Sequence, residues 1–107
     1  MTAAQMADAF EAAIRTRDLA SMRPLLHPRI QASSFDRSSY SGVDDVLSWA
    51  SDILGDDSAQ VSVTERYVDE PVAVLVLLRA KDGIRIAEYT VALITLDGAL
   101  IRIVVDV

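Results

Sequence analysis

The sequence predicts an α+β fold, in which three N-terminal helices pack on a mainly antiparallel sheet. The composition changes near residue 58, from rich in alanine, serine and aspartate to rich in valine, leucine and isoleucine. Apolar residues recur at helical spacing before that point, and runs of β-branched residues separated by turn signals follow it. One hydrophobic core serves a chain of 107 residues, so we expect a single domain over 1–107.

The composition excludes several classes of function. The chain has no cysteine and one histidine, so we expect no disulfide, no metal and no cofactor. Ten basic residues against sixteen acidic ones, without a basic cluster, argue against nucleic acid as a partner. The longest apolar run, Val72–Leu78, is far short of the roughly 18 residues that span a bilayer. Because no secretory signature is present either, we expect a cytoplasmic protein.

Two helices are expected at the N-terminus. The first runs from Thr2 to Arg17 and begins with a capping box formed by Thr2 and Gln5. Its apolar stripe comprises Met6, Phe10, Ala13 and Ile14. A shorter helical segment, Asp18–Leu26, contains Pro24, which limits its regularity, and ends before Pro28.

A strand at Arg29–Phe35 and a polar loop through Ser39 precede the third helix. Ser41 is a suitable cap for this helix, and Gly55 suits its C-terminal end. The apolar stripe comprises Val43, Val46, Leu47, Ala50, Ile53 and Leu54.

Four strands are expected after residue 59, at about 60–68, 71–81, 84–96 and 99–107. The turn signals between them are Asp69-Glu70 before Pro71, then Asp82-Gly83 and Asp97-Gly98. If each hairpin has a two-residue turn and regular pairing, the face on which each side chain lies follows from alternation.

Both faces of this sheet are predicted to be apolar. The run Val72–Leu78 alternates valine with alanine and leucine, so neither side of that strand suits water. The three helices cover one face, and a second copy of the chain is the economical cover for the other. We therefore expect a homodimer through the outer face, centred on Val72, Val74, Val76, Val91 and Val104.

The order of elements resembles the nuclear-transport-factor-2-like superfamily, and its SnoaL-like branch in particular. The segments that carry the resemblance are Arg17-Asp18-Leu19 with Leu25-Leu26-His27-Pro28, Tyr40-Ser41-Gly42 leading into Asp45–Trp49, and Leu96-Asp97-Gly98 followed by Leu100–Arg102. The resemblance implies a curved, cone-like sheet that encloses an apolar cavity, with a small hydrophobic molecule as ligand. That superfamily includes isomerases, polyketide cyclases, epoxide hydrolases, dehydratases and binding modules without activity, so the fold does not decide the function.

The predicted ligand pocket combines sheet positions with aromatic residues at the third helix. Regular hairpins and the resemblance both place Glu88 on the cavity face, beside Leu77. The full set of pocket residues is Trp49, Tyr40, Thr64, Arg66, Leu75, Leu77, Thr90, Ala92, Ile103 and Val105. Trp49 is equally suited to filling the core, and Arg66 lies near a strand end, where exposure to solvent is the simpler interpretation.

Glu88 and Asp36 are the candidate catalytic residues. A carboxylate in an apolar cavity has a raised pKa that suits acid–base chemistry, but Glu88 could instead pair with Arg79 or reach solvent. Asp36 follows the first strand and could be a displaced base, or a turn residue in a serine-rich loop. At the positions where the resemblance places the acids of the isomerases, this chain has Ser33 or Ser34 and Ala92.

Two hypotheses about function remain open. The first is a cofactor-independent isomerase, cyclase or hydratase that acts on a hydrophobic molecule, with Glu88 as acid or base. The second is a non-catalytic ligand-binding or dimerisation module. Complete filling of the cavity by side chains such as Trp49 and Leu77 would count against both hypotheses.

Overall fold

The computed structural model describes residues 1–54 and 59–107, with only the backbone at Ile53 and Leu54. The predicted cap Gly55 and the roles of these two side chains in the helix stripe lie outside that description. The elements are α1 (Ala3–Thr16), a 3-10 helix (Leu19–Leu25), β1 (Leu26–Ser33), β2 (Ser39–Ser41), α2 (Val43–Leu54), β3 (Gln60–Asp69), β4 (Val72–Lys81), β5 (Ile84–Leu96) and β6 (Ala99–Asp106). This architecture confirms the predicted α+β class.

The helical segments follow the local signals. The side chain of Thr2 accepts from the backbone of Gln5, whose own side chain accepts from Thr2, so the predicted capping box is present. α1 ends at Arg17, in the left-handed conformation. The second segment is a 3-10 helix that contains Pro24, which lacks the N–H group that helical hydrogen bonding requires.

The sheet has six strands in the order β2-β1-β6-β5-β4-β3. Strands β3 to β6 form the predicted antiparallel meander. β1 pairs in parallel with β6, and the short strand β2 pairs with β1 at Ser33 and Ser39. β2 differs from the polar loop predicted there, because its three exposed or half-buried residues carry no alternation of apolar and polar side chains.

Each hairpin of the meander contains one extra, unpaired residue, and this changes the predicted faces. The register shifts leave out Thr64 on β3, Ile86 on β5 and Ile101 on β6. Such a bulge moves every residue beyond it to the opposite face of the sheet. The regular pairing that we expected at these hairpins is therefore wrong.

The bulge at Ile86 reverses the predicted faces over most of β5. Leu77 lies opposite Tyr89 rather than beside Glu88, and Leu75 lies opposite Val91. The second bulge, at Ile101, restores the predicted faces of β6, so Ile103 and Val105 point inward as expected. The bulge at Thr64 reverses the predicted faces of the first half of β3, so Val61 and Val63 face inward rather than outward.

The inner face of the sheet is covered by helices. α1 packs across β3, β4 and β5, while α2 packs on β1, β2 and the 3-10 helix. The largest fully buried side chains in the described residues are Met6, Ile30, Leu75, Leu93, Leu100 and Val46. No helix of the described part of the chain has the length and apolar character needed to cross a bilayer.

Candidate functional site

The interior between the helices and the sheet is apolar and nearly full. A cavity of about 30 Å³ remains there, lined by Phe10, Leu19, Trp49, Ala50, Leu77, Ile103 and Val105. This volume is about that of one water molecule in the liquid, and none of the described residues contributes a polar atom to its lining. In this conformation, therefore, the interior has no room for an organic ligand.

Trp49 is one of the side chains that fill the interior. Its side chain is 6% exposed and stacks on Tyr40, with ring centroids 5.4 Å apart and 25° between the ring planes. Tyr40 comes from β2 and Trp49 from α2, so the stacked pair joins the edge of the sheet to the helix. Both residues belong to the predicted pocket, but they fill the interior rather than line an open site.

Glu88 does not lie in the interior. Its partners across the sheet place it opposite Leu78 on the outer face, where it forms an ion pair with Arg85 and its side chain is 49% exposed. The expectation that it faces the cavity is wrong, and the cause is the bulge at Ile86. The same reversal moves Thr90 and Ala92 to the outer face.

The remaining pocket candidates on the sheet have other surroundings. Arg66 points inward but forms ion pairs with Asp8, at 2.6 Å, and with Glu11, at 3.7 Å, which fasten α1 to β3. Thr64 is exposed at its bulge, where its hydroxyl donates to the carbonyl of Val76. Leu75 is completely buried beneath α1 as part of the core.

Asp36 lies in the exposed loop between β1 and β2. Its carboxylate accepts a hydrogen bond from the backbone N–H of Ser38 at 2.9 Å, as expected of a turn residue. Hydrogen bonds from the side chain and the backbone of Ser38 lower the pKa of Asp36 below its ordinary value of 3.8. A base that works near neutral pH needs a raised pKa instead, so this environment does not prepare Asp36 for that task.

The acidic residues of the six strands all lie on the outer face or at a strand end. Glu65 is opposite Val76, Glu88 opposite Leu78 and Asp106 opposite Thr90, all on the outer face, while Asp69 ends β3. Among the described residues, no three histidine or acidic side chains converge as a metal site would require. The inner face therefore offers no strand carboxylate for acid–base chemistry.

Arg79 is the inner-face residue that sequence analysis undervalued. It lies opposite Val61 and Ala87, two residues beyond Leu77 on the same face. Its Nε atom is buried and has no hydrogen-bond partner among the described residues. The alternation of Leu75 and Leu77 along β4 was sufficient to place it, but we considered it only as a partner for Glu88.

Comparison with solved structures identifies the architecture. An NTF2-like protein of unknown function from Mesorhizobium loti superposes with a TM-score of 0.85 at 14% identity, covering 97% of this chain and 88% of that one. The chain has the NTF2-like fold. A candidate ketosteroid isomerase from Kribbella flavida has a TM-score of 0.81 at 18% identity, covering 95% and 74% of the two chains. A candidate polyketide cyclase from Sinorhizobium meliloti has 0.77 at 16% identity, covering 95% and 94%.

These NTF2-like structures share the fold of this chain at identities too low to transfer an activity. No family model and no curated protein matches the sequence. The positions at which the resemblance places isomerase acids carry Ser33 or Ser34 and Ala92. Ser33 and Ala92 each lie opposite Val104 on the outer face. Their inner neighbours Ala32, Val91 and Leu93 are buried and apolar, so the NTF2-like interior has no acid there.

Proposed function

We propose that this NTF2-like chain is a non-catalytic dimerisation module whose two copies pack through the outer faces of their sheets. The observation that carries the proposal is a continuous apolar strip on that face, which the helices of the same chain do not cover. It comprises Val72, Val74, Val76 and Leu78 on β4, Ala92 and Ile94 on β5, and Val104 on β6. Val91 is excluded from the predicted centre, since it lies inside at 2% exposure.

The register arranges this strip in rows across the sheet. Val72 and Ile94 are neighbours in one row, which continues through Arg102 to Gln31 on β1. Val74, Ala92 and Val104 form the next row, and Ser33 continues it onto β1. The central row thus has apolar side chains on three neighbouring strands, with Tyr67 next to it on β3 and Ser33 next to it on β1. Hydroxyl groups beside an apolar centre are typical of the rim of a protein interface.

The size of the face fits a stable dimer. The five longer strands, β1 and β3 to β6, lie about 4.8 Å apart and give a width of roughly 24 Å, and a shared length of about 26 Å gives an area of roughly 600 Å². Stable interfaces bury about 800 Å² on each partner. A second copy, which presents the same strip, therefore covers the face completely and leaves the charged residues at its margin.

The interior supports the non-catalytic part of the proposal. An acid or base must reach the reacting atoms of a bound substrate, and the inner face of the strands has no carboxylate for this role. The interior also lacks space for a substrate beside Trp49 and Leu77. The alternative of a carboxylate-dependent isomerase or cyclase is therefore the weaker one.

Sedimentation velocity on the full chain tests the proposal. At micromolar concentration we expect about twice 11.6 kDa. Val74→Glu places two like charges near each other in the apolar centre, and we expect it to weaken dimerisation by at least about 100-fold, to a folded monomer.

Ile84→Glu is the matched control, because it makes the same chemical change at a residue that is 71% exposed beside the β4–β5 turn. We expect this variant to remain a dimer. A wild-type chain that sediments as a monomer throughout the micromolar range would overturn the proposal, and so would a Val74→Glu variant that dimerises as tightly as the wild type.

A further inference from the structure

Two opposite charges lie at equal distances from the central row of the outer face. Arg102 and Asp106 are both on β6, and Val104 of the central row lies midway between them. Because a strand rises about 3.4 Å per residue, each charged residue is about 7 Å from Val104. Both side chains are exposed. The β6 side of the strip is therefore positive on one side of the central row and negative on the other.

Neither of these charges has an ion-pair partner in the described part of the chain. Arg102 forms no side-chain hydrogen bond there, and Asp106 accepts one from the backbone N–H of Val107, at 2.8 Å. By contrast, Arg85 on the same face is paired with Glu88. Arg102 and Asp106 are about 14 Å apart along their own strand, too far to pair with each other. Both charges are thus available to a second molecule.

The symmetry of a dimer decides which residues meet between the two outer faces. In a two-fold dimer the axis lies between the packed sheets, and the contacts are reciprocal. An axis along the central row exchanges the residues two positions before and after that row on each strand. On β4 it brings Val72 to the partner's Val76, and on β5 it brings Ile94 to the partner's Thr90. The apolar strip therefore meets compatible side chains on both strands.

On β6 the same axis brings opposite charges together. Arg102 of one copy meets Asp106 of the partner subunit, and the dimer contains this contact twice because the contacts are reciprocal. Packed sheets are about 10 Å apart, a distance that a long arginine and a short aspartate span together. A guanidinium and a carboxylate at such a contact form charge-assisted hydrogen bonds. The arrangement thus balances both charges that the single chain leaves without a partner.

An axis along β5 fits the outer face less well. It exchanges β4 with β6, so that Arg102 meets the partner's Val72 and Asp106 meets the partner's Val76. Both charges would then be removed from water without a partner, and this costs free energy.

An axis between β4 and β5 exchanges β3 with β6. It brings Arg102 to the partner's Asp69, but it also brings Asp106 to the partner's Glu65 at the same distance from the centre. The axis along the central row instead opposes Asp69 and Glu65, and does so on the edge strand β3, farther from the centre than β6. Water screens a repulsion at that margin, so the axis along the central row is favoured.

We propose that the two copies are related by a two-fold axis along the central row, so that Arg102 of each copy pairs with Asp106 of the partner subunit. This inference rests on the proposed dimerisation and adds the arrangement of the two copies. Charge pairs between partners select the arrangement, because an incorrect one places like charges together. An apolar strip alone would allow several ways of packing the two sheets.

Charge reversal in the full chain tests this arrangement. Arg102→Asp and Asp106→Arg each create two contacts between like charges, and we expect each variant to dimerise at least about tenfold more weakly than the wild type. In a heterodimer of the two variants, both contacts again join opposite charges. We therefore expect an equimolar mixture, and also the double variant Arg102→Asp/Asp106→Arg, to associate with about the affinity of the wild type. Sedimentation velocity measures the affinities, and native mass spectrometry identifies the heterodimer.

Arg15→Asp is the matched control, because it makes the same change of charge at an exposed residue of α1, which packs on the inner face. We expect this variant to dimerise as the wild type does. Tighter dimerisation of Asp106→Arg would overturn the inference and would indicate the axis between β4 and β5. Wild-type affinity in both single variants would also overturn it, as would a mixture that associates no better than either variant alone. These outcomes concern a dimeric wild type, whereas a monomeric wild type would overturn the proposed function and this inference with it.

Discussion

At the scale of single residues, the charged side chains that the described strands place on the inner face are basic rather than acidic. Arg66 is neutralised by Asp8 and Glu11 and connects α1 to the sheet. Arg79 has no such acceptor among the described residues. The acids that we considered for catalysis are both exposed, Glu88 beside Arg85 and Asp36 in its loop.

The pKa of Asp36 is a prediction at this scale. Because hydrogen bonds from Ser38 favour the carboxylate, its pKa in the folded state is below 3.8. A lowered pKa contributes stability that is present above the unfolded value and is lost as the pH falls through the folded value. We therefore expect the difference in unfolding free energy between the wild type and Asp36→Asn to shrink below pH 3.8.

Carbon-13 NMR titration of the Asp36 carboxyl group gives the pKa directly. Ser38→Ala removes the largest cause of the shift, so the midpoint should move back towards 3.8 in that variant. A midpoint at or above 3.8 in the wild-type protein would contradict the expectation.

At the scale of elements, the bulges decide which side chains face inward. Regular hairpins would place Glu88 beside Leu77, and one unpaired residue, Ile86, places Tyr89 there instead. The Asp82-Gly83 turn itself is as predicted, with both residues at positive φ. The predicted faces of β5 are wrong only beyond the turn, where the bulge lies. A bulge depends on how the sheet curves over the helices and has no strong local sequence signal.

Deletion of Ile86 tests this account of β5. The residue is unpaired and 50% exposed, so its removal leaves Leu77 opposite Tyr89 and every core side chain on its present face. We expect the variant to fold and to lose about 1 kcal/mol or less, as measured by urea unfolding.

Deletion of Thr90 is the matched control, since Thr90 is also exposed but is paired within the ladder. Its removal forces one half of β5 onto the wrong face, and we expect the far-UV circular dichroism of a largely unfolded chain. Equal tolerance of the two deletions would disprove the role given to the bulge.

At the scale of the whole molecule, one sheet has two apolar faces and only one set of helices. α1 and α2 cover the inner face, and the strip centred on Val74, Ala92 and Val104 remains on the outer one. The same sheet thus provides both the core of the fold and the proposed interface. Solved structures at 18% identity or less share this architecture and do not assign it an activity.

If the isolated monomer is less stable than the dimer, the unfolding of the protein depends on its concentration. If folding is coupled to dimerisation, each tenfold rise in protein concentration stabilises the native state by about 1.4 kcal/mol. We expect the urea midpoint of the wild type to increase with concentration over the micromolar range. The midpoint of Val74→Glu should be constant, and a constant midpoint in the wild type would argue against coupled dimerisation.

The sequence by itself determined the class of fold, the helices and the positions of the turns. The capping box at Thr2, the stripe of α1 and the Asp-Gly turns are local signals, and local physics was sufficient to interpret them. The resemblance in element order correctly indicated the NTF2-like fold, because the order of elements follows from these local signals along the chain. The inward direction of Leu75, Leu77, Ile103 and Val105 was also correct.

Only the tertiary structure decided which side chains face the interior and whether the interior has room for a ligand. Three unpaired residues set the faces of the strands, and Tyr40 and Trp49 come together from separate elements to fill the interior. These features depend on contacts between residues distant in sequence, which alternation and spacing do not encode. Glu88 therefore lies on the outer face, and the buried Nε of Arg79 has no hydrogen-bond partner among the described residues. Neither fact follows from the sequence, because burial is a property of the folded chain.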